Sequence, residues 1–197
     1  GISSDITADN IQFMTKVLGT SAEQAAHTQR ELFQLARTID MPPDAMASAF
    51  KDAMPALSAF GSESTEVFKK LQVNARSAGM EVSDVLSIVE KFDTFDTAAQ
   101  SVGRLNAILG GSYLNSIQMV TTTDPTERMR LLSDAVNSAG LAFDDMSYYQ
   151  RRALADAMGM DIPQLALLMR DGFEQAVPTA QMSQAELANL AEEAKEF

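Results

Sequence analysis

Two pairs of carboxylates are the residues of this chain whose type and spacing could do chemistry: Asp93 with Asp96, and Asp144 with Asp145. Acid-base cleavage of a glycan requires two carboxyl groups facing one cleft, one protonated to assist the leaving oxygen and one ionised. Each pair, however, stands at the expected start of a helix, where Asp accepts from exposed backbone amides and offsets the positive helix end. Capping accounts for them more simply. No aromatic platform for a sugar accompanies them, because tryptophan is absent and tyrosine occurs only at Tyr113, Tyr148 and Tyr149. The one histidine, His27, projects opposite the apolar stripe of its own helix (Ala22, Ala25, Gln29, Leu32, Phe33, Ala36, Ile39), as a solvated side chain does. With neither a second His nor any Cys, a transition-metal site would need carboxylates alone, and no acidic loop has calcium-ligand spacing. The sequence therefore assigns no catalytic, cofactor-binding or metal-ligating residue, and the chain is read as not an enzyme.

A third arrangement points toward nucleic acid. Ala155, Gly159, Leu165 and Leu168 have the spacing of small, turn and core positions in a DNA-reading helix-turn-helix, and Ala75, Gly79, Val85 and Ile88 repeat it. The second helix must then offer polar or basic side chains to base edges. Here it reads Ile162-Pro163-Gln164-Leu165-Ala166-Leu167-Leu168-Met169, apolar on most sides, with Arg170 only at its end. The chain carries 15 Lys and Arg against 27 Asp and Glu, and a net charge of −12 opposes both phosphate backbones and anionic lipid. Specific nucleic-acid binding is not expected, and a basic partner surface fits better. The longest apolar runs, such as residues 165–169, fall far short of the roughly 20 residues that a membrane span needs.

The elements that position these residues follow from one spacing that occurs four times. A small residue is followed by a turn residue four on, an apolar residue five on, and apolar residues ten and thirteen on. The four sets are Ala36, Asp40, Met41, Met46, Ala49; Ala75, Gly79, Met80, Val85, Ile88; Val136, Gly140, Leu141, Met146, Tyr149; and Ala155, Gly159, Met160, Leu165, Leu168. Each is a helix ending in a left-handed cap, with an apolar residue folded back on the last turn, followed by a second helix. Their uneven starts exclude a regular solenoid.

Period-3.6 apolar spacing predicts helices over 5–18, 22–38, 43–60, 63–78, 83–109, 125–139, 145–158, 162–172 and 182–196. Ser21 with Gln24, Asp161 with Gln164, and Ser183 with Glu186 have capping-box spacing, and Asp124-Pro125-Thr126-Glu127 is the clearest helix start. Pro55 should break or kink the third helix. Over 83–109, Val85, Ile88, Phe92, Phe95, Ala99, Val102 and Asn106 share one stripe, giving a helix of up to about 40 Å if Asp93 does not interrupt it. Asn106 in that stripe could fix register with an associating helix, but a cap or a hydrogen bond to a neighbouring loop is favoured. Gly110-Gly111 ends this helix and residues 114–120 form a short element. Thr121-Thr122-Thr123 reads as an extended linker, which divides the chain into an N-terminal helical lobe (1–120), a second lobe (121–180) and a terminal helix (181–197). Residues 172–180, with Pro178, form the second linker.

At 197 residues the chain can bury a hydrophobic core without metal or disulfides, and its twelve methionines are expected to fill gaps in that core. The fold class is all-α: a compact multi-helix bundle of helix-turn-helix corners, about nine helices, with no sheet. The chain opens Gly1-Ile2-Ser3-Ser4 and stops at Glu196-Phe197 while a helical pattern is running, so it is expected to be a piece of a longer polypeptide.

The run Phe92-Asp93-Thr94-Phe95-Asp96-Thr97-Ala98, then Gly103-Arg104-Leu105-Asn106-Ala107-Ile108-Leu109-Gly110-Gly111, then Leu114-Asn115, resembles a segment of tail tape-measure proteins of tailed bacteriophages. Asp124-Pro125-Thr126-Glu127-Arg128, the turn Ala139-Gly140-Leu141-Ala142-Phe143-Asp144-Asp145-Met146, and Arg152-Ala153-Leu154-Ala155-Asp156-Ala157-Met158-Gly159-Met160 continue the similarity, which covers roughly residues 60–172. These are recurring helical phrases, not a diagnostic motif. The resemblance implies a virion component, assembled in the host cytoplasm, that fills the tail-tube lumen, sets tail length and leaves ahead of the DNA at ejection. Its partners would be tail-tube or baseplate-hub proteins and copies of itself. This chain lacks a membrane-spanning segment and long heptads, so the resemblance implies a helical domain of such a protein rather than the measuring rod. Two other classes stand beside it: an independent helical adaptor, and a cell-wall muramidase domain that would use Asp93 or Asp144.

Overall fold

Left-handed residues at fixed intervals dictate where this chain turns, and the helices fill the intervals. The computed structural model describes residues 4–173. Among them are ten α-helices: α1 (Ser4–Lys16), α2 (Ala22–Thr38), α3 (Pro43–Leu57), α4 (Ser64–Ser77), α5 (Val82–Val89), α6 (Phe95–Leu109), α7 (Ser116–Thr121), α8 (Pro125–Ser138), α9 (Tyr148–Met158) and α10 (Ile162–Asp171). Short 3-10 turns lie at Ser58–Glu63, Glu90–Phe92 and Phe143–Asp145, and no strand occurs among the described residues. The fold is the expected all-α bundle. The expected helix 182–196, its Ser183–Glu186 box and the linker around Pro178 lie outside the described residues.

All four expected corners turn at the expected residue. Asp40, Gly79, Gly140 and Gly159 have φ of 52°, 66°, 67° and 82°. At three of them the next residue, a methionine, reaches back to the small residue: the amides of Met41, Met80 and Met160 donate to the carbonyls of Ala36, Ala75 and Ala155 at 2.8, 2.8 and 3.1 Å. One residue later the next helix is capped, at Pro42, Glu81 and Asp161. The corner at Gly140 departs from this plan. A 3-10 turn at Phe143–Asp145 intervenes and Ser147 caps α9, so the helix begins at Tyr148 rather than at 145. That delay rotates the stripe, and Tyr149, expected to face inward, is 80% exposed.

The helix expected over 83–109 is two helices. α5 ends at Val89, a 3-10 turn follows, and Thr94 becomes the N-cap of α6, accepting from the Thr97 amide at 3.3 Å. The break rephases the apolar stripe. Ala98, Val102, Leu105 and Leu109 are buried, whereas Phe95 and Ala99, expected in the stripe, are exposed. Pro55 is accommodated inside α3, which runs only to Leu57 instead of 60 before tightening into the 3-10 turn. This is the response expected where the ring removes a donor and crowds the turn before it.

The buried side chains form one core, from Met14 in α1 to Phe173 after α10, with Phe50 and Phe68 in edge-to-face contact at 5.1 Å between ring centroids. Of the expected extended linker 121–123, Thr121 is instead the last residue of α7 and Thr122 is extended, and α8 beyond them packs on both α4 and α5. Residues on the two sides of the expected lobe boundary therefore share a core.

Candidate functional site

The polar centre of the fold is Arg128, a residue that the sequence offers only as one letter in a helix start. Asp124 caps α8 by accepting from the amides of Thr126 and Glu127, and this fixes the first turn so that Arg128 points inward. Its side chain is 6% exposed. α5 ends here, because the Asp93 amide bonds to the Glu90 carbonyl in the 3-10 turn and not to the Val89 carbonyl. Nη1 of Arg128 takes that carbonyl at 3.0 Å and also meets the Asp93 carboxylate. Nε donates to the carbonyl of Met119 at 3.0 Å and to that of Thr122, and Nη2 reaches the Val120 carbonyl at 3.4 Å. These are the last carbonyls of α7, which every helix leaves without internal donors. One guanidinium thus caps the C-terminal ends of two helices, where positive charge is favoured, with five donors in a fork that no other side chain offers.

This arrangement decides the fate of the candidate acid-base residues. Asp93 is ion-paired to Arg128 and does not cap α6; that role belongs to Thr94. Asp96 lies in the first turn of α6, where its charge offsets the positive helix end without capping it. Asp144 and Asp145 lie in the 3-10 turn before α9, not at its N-cap, and the guanidinium of Arg151 holds that turn by donating to the carbonyls of Phe143 and Asp144 at 2.9 and 3.0 Å. His27 is a surface residue, 64% exposed and 3.6 Å from Glu31. Among the described residues no three His, Cys, Asp or Glu side chains cluster as a metal site would need, and no helix is long and apolar enough to cross a membrane. Asn106 does what the favoured reading gives it. Its amide donates to the Leu114 carbonyl and its oxygen accepts from the Leu114 amide, both at 2.9 Å, and this clips the loop after Gly110 to α6.

Titratable groups report the same economy of structure. Burial pushes the Lys69 ammonium down, but the hydrogen bonds it donates to Glu66 and Glu31 outweigh this and the net shift is upward. Burial lowers Lys91, and the nearby Arg104 adds to the effect. Glu127 is held below the usual glutamate range by its hydrogen bonds with Arg130, against a smaller opposing effect of burial.

The corners also dock on one another. A Cβ built on Gly79 would lie 2.5 Å from Cδ1 of Leu167 in α10, and one built on Gly159 would lie 2.0 Å from Nζ of Lys91, just beyond α5. Between these contacts Nε2 of Gln164 donates to Asp84 at 3.0 Å. Asp84 and Gln164 occupy equivalent places, each five residues past its left-handed glycine and each closing a capping box. Each of the α4–α5 and α9–α10 corners therefore covers the turn of the other, though not through equivalent residues: Leu167 stands eight positions past its glycine and Lys91 twelve past its own. The α2–α3 corner is held differently: Nη2 of Arg76 donates to the Asp40 carbonyl at 3.0 Å. Beside it an open groove of about 350 Å³ lies between α3 and the start of α5, floored by Ala45, Ala49 and Leu86 and flanked by Asp52, Arg76 and Glu81.

Comparison of the chain with family models, with curated proteins and with solved structures finds no match. What the arrangement can do is hold helices at fixed angles and present their outer faces.

Proposed function

We propose that the chain is a structural, non-enzymatic helical domain of a tail tape-measure protein of a tailed bacteriophage, acting in tail assembly and genome ejection through helix-helix contacts with tail-tube or baseplate-hub proteins. The observation that supports this best is where the resembling phrases fall. Residues 92–98 contain the break between α5 and α6, residues 103–111 contain the Asn106 clip and its Gly110 cap, residues 124–128 contain the Asp124 cap and Arg128, and residues 152–160 contain the clasp at Gly159. They supply joints between helices. Similarity concentrated in joints fits a scaffold whose working parts are the helix faces between them. A net charge of −12 suits residence beside packaged DNA without adhesion to it.

Quantitative mass spectrometry of phage tails purified from the strain that encodes the chain tests this reading. Peptides spanning α6 and α8 are expected in the tails at a fixed ratio to the tube protein. Their recovery only from the host's soluble fraction would refute it.

A further inference from the structure

Lys51 and Lys69 are ion-paired, and Arg76, Arg128 and Arg151 are fixed on carbonyl oxygens. Lys91 and Arg104 are differently placed. Neither makes a hydrogen bond or an ion pair among the described residues, yet they stand close enough for the guanidinium to oppose the ammonium. A lysine becomes nucleophilic near neutral pH when it is desolvated or set beside another cation, because both favour the uncharged amine. Lys91 has both. Its Nζ and Cγ1 of Ile88 lie within 4.0 Å of the place where Gly159 would carry a Cβ, so the left-handed turn of the α9–α10 corner covers the amine from one side and α5 from another. The carboxylates on the surrounding elements are engaged elsewhere: Asp84 accepts from Gln164, Asp93 pairs with Arg128, Asp156 lies 3.9 Å from Arg152, and Asp161 caps α10. Glu90 and Asp96, on the adjoining turns, are exposed and neither pairs with it. Lys91 itself is only partly covered, so a small molecule can reach it. We propose that Lys91 is a modification site, acylated directly by small acyl phosphates that Arg104 draws to it.

The uncharged Nζ attacks the carbonyl carbon of the acyl phosphate and forms an amide bond, the bond from that carbon to the phosphate oxygen breaks, and phosphate leaves with the electron pair. The surplus proton of the amine passes to water. Nothing is oxidised or reduced, and no further reactant is required. Arg104, exposed on α6, contributes twice: it opposes protonation of Lys91, and its unengaged guanidinium pairs with the phosphate of the donor. A net charge of −12 discourages the approach of anions elsewhere, which makes a local pair of cations count for more. The product is a neutral side chain over the Gly159 turn. The inference does not depend on the tail reading, and either can fail alone.

Timed acetylation of the full chain with acetyl phosphate, read lysine by lysine by mass spectrometry of its peptides, tests it. At about pH 7 Lys91 is expected to be modified at least about threefold faster than the exposed Lys70, and its rate-pH curve is expected to reach half-maximum at a lower pH. Greater access alone would raise the rate without moving that midpoint. Arg104→Gln, a change at an exposed position, is expected to cut the Lys91 rate with acetyl phosphate at least about threefold, and to cut it less with acetic anhydride, which carries no charge. Lys91 modified no faster than Lys70 overturns the inference, and so does an equal midpoint for the two lysines. A Lys91 rate that Arg104→Gln leaves unchanged also overturns it, because the guanidinium would then neither activate the amine nor draw the donor.

Discussion

Replacing Arg128 with alanine should cost this fold more than the loss of any other single polar side chain. The guanidinium serves the carbonyls of Val89, Met119 and Thr122 at close range, and all three lie at C-terminal ends of helices. A buried carbonyl left unpaired costs about 1–3 kcal/mol, reduced where water enters the vacated space. The ion pair adds less than its geometry suggests, because the Asp93 side chain is 54% exposed and solvent already screens it. The net expectation for Arg128→Ala is about 3–5 kcal/mol, the range seen when one partner of a buried polar constellation is removed. For a chain of this size that corresponds to a fall in Tm of about 6–20 °C. Urea denaturation followed by circular dichroism measures it, with two companions to separate the causes. Arg128→Met keeps the apolar stem and removes every donor, and should lie within about 1 kcal/mol of the alanine variant. Asp93→Asn removes the charge alone and should cost less than about 1 kcal/mol. A loss below about 1 kcal/mol in Arg128→Ala would refute the reasoning. So would an Asp93→Asn variant as unstable as Arg128→Ala, since the ion pair and not the carbonyl caps would then carry the effect.

The corner geometry predicts a contrast between two glycines with nearly the same φ. Gly79→Ala strains a left-handed position and drives a methyl into Leu167, for a loss of about 2–4 kcal/mol, whereas Gly140→Ala meets open space and should lose only about 1–2 kcal/mol by thermal denaturation. Asn106→Ala removes both hydrogen bonds to Leu114 and should cost about 1–3 kcal/mol, with the fastest-exchanging amides of the variant appearing at residues 110–115 in hydrogen exchange. Glu127 contributes stability that is present above the ordinary glutamate pKa and is lost as pH falls through its depressed value. Glu127→Gln should flatten the acid limb of the stability-pH profile by less than about 1 kcal/mol, because its side chain is partly exposed, and an unchanged acid limb would contradict the role of Arg130.

The features that the sequence displays most clearly are those whose physics is local. The α2 bounds follow from Ser21 and Gln24 at one end and Asp40 at the other, all within a few residues of the ends they set. Three of the four left-handed corners likewise depend on a residue and its neighbour five places back. The break after α5 is different. Nothing local forbids a helix through Asp93-Thr94, and the interruption is stabilised from outside, by an arginine 35 positions beyond Asp93 in sequence that donates to the Val89 carbonyl and pairs with the Asp93 carboxylate. The phase error that put Phe95 and Ala99 in the core stripe follows from that one missed contact. Arg128 itself left no pattern, because a basic residue near a helix start reads as surface and only the packing of α5 and α7 around it reveals otherwise. At the third corner, Ser147 with Gln150 is a capping-box spacing that was available in the sequence and would have moved the start of α9, and with it Tyr149, to the observed place.

The mutual covering of the α4–α5 and α9–α10 turns has a consequence for how related sequences can vary. Leu167 occupies the space that a side chain at 79 would need, and Lys91 that of a side chain at 159, so neither glycine is free to drift alone. In a set of homologues, a side chain at position 79 should appear only where 167 has become smaller, and one at 159 only where 91 has shortened. These two pairs, eighty-eight and sixty-eight positions apart by subtraction of their residue numbers, are where covariation should be strongest for contacts so distant in sequence.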